Sequence, residues 1–196
     1  MLVLVWAAVS HLRFAAAERR RRLLEMRLRP AALALIDEDE QPVFASRAEA
    51  EVFADLLGRY SRQLQGDARA RIAGFFERSG AVGLVVAALR DRRPWTRAEA
   101  AFSLGDMGSP AAVEPLLDAL RDRDVDVRAA AARSLGRLGA PEAVEPLLDL
   151  VSTRSLPRAV VGRALLEIGP AAIPSLLRLV DCQDPLERAA AIQLVG

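Results

Sequence analysis

Residues 125–153 read VDVRAAAARSLGRLGAPEAVEPLLDLVST, and this stretch decides the fold because recognisable copies stand on both sides of it. Upstream, Arg97, Leu104, Gly105 and Gly108 take the places of Arg128, Leu135, Gly136 and Gly139, while Val113, Leu116 and Leu117 take those of Val144, Leu147 and Leu148. Downstream, Arg158, Leu165, Gly169, Ile173, Leu176 and Leu177 do the same, and a last copy reaches Arg188 and Val195. Recurrence at about thirty residues marks a solenoid, in which each unit buries its apolar face against its neighbours. Gly196 aligns with Gly136, so the last copy is expected to stop inside a first helix, either as a fragment or as an improvised cap.

Each unit reads as two helices, A and B. In helix A of the central unit, Val127, Ala131, Leu135 and Leu138 share one face. Their counterparts are Thr96, Ala100, Leu104 and Met107, then Pro157, Val161, Leu165 and Ile168. Gly108, Gly139 and Gly169 follow helix A, where a left-handed residue ends the helix at little cost to glycine. Pro110, Pro141 and Pro170 suit the first turn of helix B. Pro115, Pro146 and Pro174 lie deeper, and the sequence leaves open whether they kink that helix or delay it.

The flanks are less regular. Leu2–Ala17 is apolar but interrupted by Ser10, His11 and Arg13, and falls short of the roughly 20 residues of a spanning helix. Trp6 and Arg13 lie within it and Arg19, Arg20, Arg21 and Arg22 follow it; if the segment spans, these arginines keep the following chain on the cytoplasmic side, and the alternative is an amphipathic helix packed on the first repeat or lying flat on a membrane surface. Pro30 is expected to end or interrupt the next helix, and the acidic tract 37–40 with Pro42 reads as a linker. Ser46 and Glu49 form a capping box for a helix burying Val52, Phe53, Leu56, Leu57 and Tyr60. Asp67 is read as the cap of another helix, whose Phe75 and Phe76 are core. The organisation is thus an apolar helix with a basic flank over 1–30, a linker over 31–45 and a repeat domain over 46–196. The last comprises degenerate first units (46–93), regular repeats (94–124, 125–154, 155–184) and a partial repeat (185–196). The fold class is all-α, a right-handed α-solenoid of helix pairs.

Composition narrows the function. Net charge is +1, so no global field draws the chain onto nucleic acid, and the alternative of nucleic-acid binding through Arg19–Arg29 has only local support. His11 is the lone histidine and Cys182 the lone cysteine. A Ser-His-Asp triad among the repeats, a histidine-rich metal site and an internal disulfide are therefore excluded. No glycine-rich phosphate loop is present. No catalytic residue, metal ligand or cofactor site is predicted.

The words VRAAAARSLGRLGAPEAVEPLLDLV at 127–151 and RAEAAFSLGDMGSPAAVEPLLDAL at 97–120 carry a resemblance to HEAT-like repeats, especially the short class also found in phycobilisome lyases. It covers Ala81–Gly196. The resemblance implies an aspartate before helix A and an arginine at its start, bonded as a ladder between units. Asp91 with Arg97, Asp122 or Asp124 with Arg128, and Asp184 with Arg188 fit it, whereas Ser152 and Arg154 replace the acids of the third repeat. Members of the class hydroxylate through His-Glu iron motifs that are absent here, attach bilins, or excise alkylated bases.

A solenoid's working surface is the concave face lined by B helices. Glu114, Asp118 and Arg121, then Glu145 and Asp149, lie outside the apolar stripe there, and Arg178 replaces the acid in the third repeat. Trp95 is a candidate anchor for a partner. The expectation is a non-enzymatic scaffold that binds a protein partner and is tethered to the cytoplasmic face of a bacterial-type cell membrane through residues 2–17, with a soluble cytoplasmic protein as the other possibility. The alternative in a different class is a HEAT-like enzyme or enzyme subunit such as a chromophore lyase.

Overall fold

The computed structural model describes residues 2–180, with side chains described from 18 to 178. It is all-α, and the chain divides into two compact units, Met1–Arg71 and Ile72–Gly196. Asp184, Arg188, Cys182 and the partial repeat fall outside the described residues.

In the first unit, α1 (Leu2–Glu38) packs against α2 (Arg47–Ser61). Leu28, Ala32, Leu35 and Ile36 of α1 and Phe53, Leu56 and Leu57 of α2 are buried. The expected break at Pro30 and the linker beginning at 31 are corrected: α1 runs unbroken through Pro30 to Glu38. Pro30 lies on the exposed face, where its one missing hydrogen bond is outweighed by the buried residues that hold the opposite face in register. Arg71 donates to the carbonyls of Ile36 and Asp37 at 2.5 and 2.8 Å, closing the α1 C-terminus. At α2 the Ser46 hydroxyl accepts the Glu49 amide (3.2 Å), and the buried Glu49 carboxylate reaches back to the Ala45 amide (2.9 Å). The capping role expected of Asp67 is also corrected, since Asp67 is the first residue inside α3 (Asp67–Arg78).

The second unit takes in most of α3, then α4 (Ala81–Ala88), and continues as A and B helices in turn. The A helices are α5 (Pro94–Met107), α7 (Val125–Leu138) and α9 (Arg158–Ile168). The B helices are α6 (Val113–Ala119), α8 (Val144–Ser152) and α10 (Ile173–Val180). Ile72, Phe75, Phe76 and Val82 are buried, so the paired phenylalanines are core. Leu104, Leu135 and Leu165 are buried on equivalent faces of the A helices, whereas Leu138 is half-buried and Pro157 exposed. At Gly139 the αL backbone lets the Ala140 amide reach back to the Leu135 carbonyl at 3.2 Å, which ends α7.

Helix B is delayed, not kinked. Pro110 and Pro141 start 3-10 turns, and the α-helix proper begins at Val113 or Val144. Pro115 and Pro146 then occupy the third helical position, where no intrahelical acceptor awaits an amide.

A helices stack on A helices, α5 on α7 and α7 on α9. The approach is closest at two glycines inside them. A Cβ on Gly136 would stand 2.8 Å from the Ala164 Cα, and one on Gly105 would stand 2.5 Å from the Ser134 hydroxyl. Small residues therefore let the backbones touch, and Ala130, Ala131 and Ala132 are buried around that contact. The stretch 158–178 is long and apolar enough among the described residues to cross a membrane. It comprises α9, a 3-10 turn and α10, and buries Val161, Ala164, Leu165 and Ile168 in the stack.

Replacing glycine by alanine in an open helix interior gains about 0.5–1 kcal/mol. Gly136→Ala is expected to do the opposite, costing about 1–3 kcal/mol, because the new methyl meets backbone that cannot swing aside. Urea unfolding measures it, and an unchanged or raised midpoint would contradict the close stacking of α7 on α9.

Candidate functional site

The B helices bury one side and leave a charged side outward. In α6, Leu116 and Leu120 go inward and Glu114, Asp118 and Arg121 stay exposed; in α8, Leu147, Leu148 and Val151 are buried and Glu145 and Asp149 are exposed. A groove of about 280 Å³ opens between the α4 end and α6. Its apolar wall is Val86, Leu89, Pro115 and Ala119, and Glu114, Asp118, Asp122 and Arg90 supply its charge.

The sequence-predicted residues divide into several groups. Glu114, Asp118 and Asp149 have no ion pair or side-chain hydrogen bond among the described residues. Glu145 is already engaged: the Ser175 hydroxyl donates to it at 2.7 Å and Arg178 pairs with it. The Ser175 hydrogen bond, aided by the Arg178 charge and opposed by partial burial, holds its carboxyl below the usual range. The acidic row is therefore interrupted at Glu145, and Arg178 faces an acid of this chain. Trp95, 67% exposed at the start of α5, does not line the groove.

The arginine ladder exists in a different register from the expected one. Arg97 is buried and grips Asp122 of the following loop with both ends of its guanidinium, at 2.7 Å each. It also donates to the Asp91 carbonyl of its own loop at 3.0 Å. Arg128 repeats the second contact on the Asp122 carbonyl (2.7 Å) and reaches forward to the Ser155 carbonyl (2.8 Å). The pairing of Arg128 with a carboxylate is thus corrected. Asp122 turns back to the preceding arginine, and Asp124 caps α7 by accepting the Asp126 amide. The loop without acids keeps its link because a backbone carbonyl serves as acceptor. The Arg97 hydrogen bonds lower the Asp122 pKa against the opposing effect of burial, with the Asp124 amide adding to the shift, and the same pair raises that of Arg97.

Sequence reasoning missed a second crossing. Arg137 donates to Ser134 (2.8 Å) and to the Phe102 carbonyl (2.9 Å), lies 4.5 Å over the Phe102 ring and approaches Asp106 at 3.5 Å. The signal was the slot shared by Asp106, Arg137 and Glu167, which alternates in sign along the repeats.

In the first unit, Arg21 pairs with Asp55 at 2.6 Å and Arg22 with Glu18 at 3.3 Å. Arg19 and Arg20 are exposed with no partner among the described residues. The side chains of Trp6 and Arg13 lie outside the described ones. Among the described residues no three His, Cys, Asp or Glu side chains cluster as metal ligands.

A family model for HEAT repeats matches residues 81–166. Residues 81–166 are HEAT-like repeats. Among solved structures, the HEAT-like chain is similar to a chain in the complex of CpcE and CpcF of phycocyanin lyase from Nostoc sp. PCC7120, at 25% identity and a TM-score of 0.46. The match covers 84% of this chain and 63% of that one, so the HEAT-like chain spans less than two thirds of that lyase chain. No curated protein matches. The expectation of a non-enzyme is corrected on this finding, since the similar chain belongs to a lyase complex.

Because Asp122 has a lower pKa folded than unfolded, the stability it adds is present above the ordinary aspartate range and lost as pH falls through the depressed value. Asp122→Asn should therefore lower the melting temperature at neutral pH and flatten its fall in acid. Identical acid slopes for the two proteins would remove Asp122 from the ladder.

Proposed function

We propose that this HEAT-like chain is a protein-binding module whose B-helix groove takes a basic segment of a partner. The observation that carries the reading is one groove that sets an apolar wall beside two carboxylates, Glu114 and Asp118, with no partner among the described residues. Concave surfaces of this kind are what stacked repeats use for binding. A lysine or arginine in the groove gains charge-assisted hydrogen bonds to Glu114 or Asp118 while its aliphatic stem lies on Val86 and Leu89. Asp149, one repeat further on, extends the row to a second cation about 10 Å away, the spacing of packed helices. The proposal includes attachment to the cytoplasmic face of a bacterial-type membrane, supported by the apolar run Leu2–Ala17 and the arginines after it.

A second reading has the same groove working in an enzyme, as a subunit of the chromophore-lyase kind. Its support is the likeness of the short repeats at 97–120 and 127–151 to those of phycobilisome lyases.

Titration with helical peptides carrying arginines one turn apart tests the first reading. Glu114→Gln and Asp118→Asn should each weaken binding by roughly two- to fivefold at low salt, with the effect fading as salt rises. Full affinity in the double variant would remove the groove from the function. A linear tetrapyrrole that binds the chain, seen as a shifted visible absorbance, would favour the lyase reading; an unchanged pigment spectrum counts against it.

A further inference from the structure

The face of α1 turned away from α2 carries a second pattern. Leu23, Met26 and Leu33 are 62%, 59% and 51% exposed. With Pro30 they are spaced by three, four and three residues, which places them on one stripe about 15 Å long. Leu28, Ala32, Leu35 and Ile36, which are buried, occupy the opposite side. Arginines border the stripe on both sides. Arg22 and Arg29 stand seven residues apart along one edge, Arg20 and Arg27 along the other, and Arg19 continues the stripe toward the N-terminus. All five are exposed; Arg22 pairs with Glu18 at 3.3 Å and Arg27 with Glu49 at 2.5 Å, which leaves Arg19, Arg20 and Arg29 without a partner among the described residues. Within 19–33 the lone acid is Glu25, and it is held on the α2 side by Arg59 at 3.0 Å. Asp37 ends the stripe.

We infer that this face of α1 is a lipid-binding surface that lies along an anionic membrane, with Leu23, Met26 and Leu33 in the headgroup boundary and Arg19, Arg20 and Arg29 on lipid phosphates and carboxylates. Exposed apolar side chains flanked by cations on a helix are the pattern of an interfacial helix. Charge selects this occupant over a second copy of the chain. The same three-four spacing would suit a coiled-coil seam, but both edges are basic, so self-pairing sets arginines against arginines in either orientation. A polyanion without hydrocarbon satisfies the arginines and leaves the leucines and methionine exposed. The stripe also continues the helix that holds Leu2–Ala17, so both would meet one membrane.

This inference rests on the membrane part of the proposed function and is independent of the groove. It specifies a surface mode in which the lipid must be anionic, whereas a helix held by residues 2–17 alone needs no charge on the lipid.

The test is co-sedimentation of the full chain with vesicles of phosphatidylcholine alone and of phosphatidylcholine mixed with phosphatidylserine. Retention is expected on the anionic vesicles and should fall with added salt. Arg20→Ala and Arg29→Ala should each lower partitioning roughly fivefold. Met26→Glu and Leu33→Glu should lower it further with an unchanged melting temperature, since both side chains are exposed. Equal, salt-insensitive retention on neutral vesicles, unaffected by these variants, overturns the surface mode and leaves a tether through residues 2–17. Failure to bind either vesicle overturns both. Self-association abolished by Met26→Glu overturns it in favour of a second copy.

Discussion

The repeat unit depends on one close approach, the contact of α7 with α9 where Gly136 meets the backbone at Ala164. Helices that touch through backbone have no side chain to slide over, so the offset between repeats is fixed by main-chain shape. In the α5 and α7 pair the glycine instead makes room for side chains, Gly105 lying against those of Ser134 and Arg137. With the A helices fixed in this way, the B helices that follow each glycine stop are fixed too. The groove between α4 and α6 is a consequence of that spacing. In the third repeat the equivalent slot holds Leu166, which is exposed.

The arginine contacts act on the loops. Arg97 and Arg128 each hold the carbonyls of the loop before them and reach to the loop after them. A guanidinium presents five donors, enough to serve both loops at once. The forward acceptor changes from a carboxylate at Asp122 to a carbonyl at Ser155, and the link persists. The difference is electrostatic: a pH-sensitive ion pair at one junction and a neutral acceptor at the next.

These contacts leave some charges unengaged among the described residues. Glu114, Asp118 and Asp149 lie on the B-helix face and take no part in the junctions, whereas Glu145, in the same row, is consumed by Ser175 and Arg178. The first unit shows the same division. Arg21, Arg27 and Arg59 bind acids across the α1 and α2 contact, while Arg19, Arg20 and Arg29 have no partner among the described residues.

The sequence by itself determined the alternation of A and B helices, the glycine stops at Gly108 and Gly139, and the buried leucines at 104, 135 and 165. These follow from local periodicity and backbone preference, which act within one or two turns. The tertiary structure decided the rest. It carried α1 through Pro30, because burial along the opposite face outweighed one lost hydrogen bond. It gave Asp122 to Arg97 and left Arg128 with carbonyls, and it spent Glu145 on Arg178. Each of those outcomes turns on which groups from successive repeats come side by side, and residues twenty-five to thirty-three positions apart leave no local pattern from which to read it.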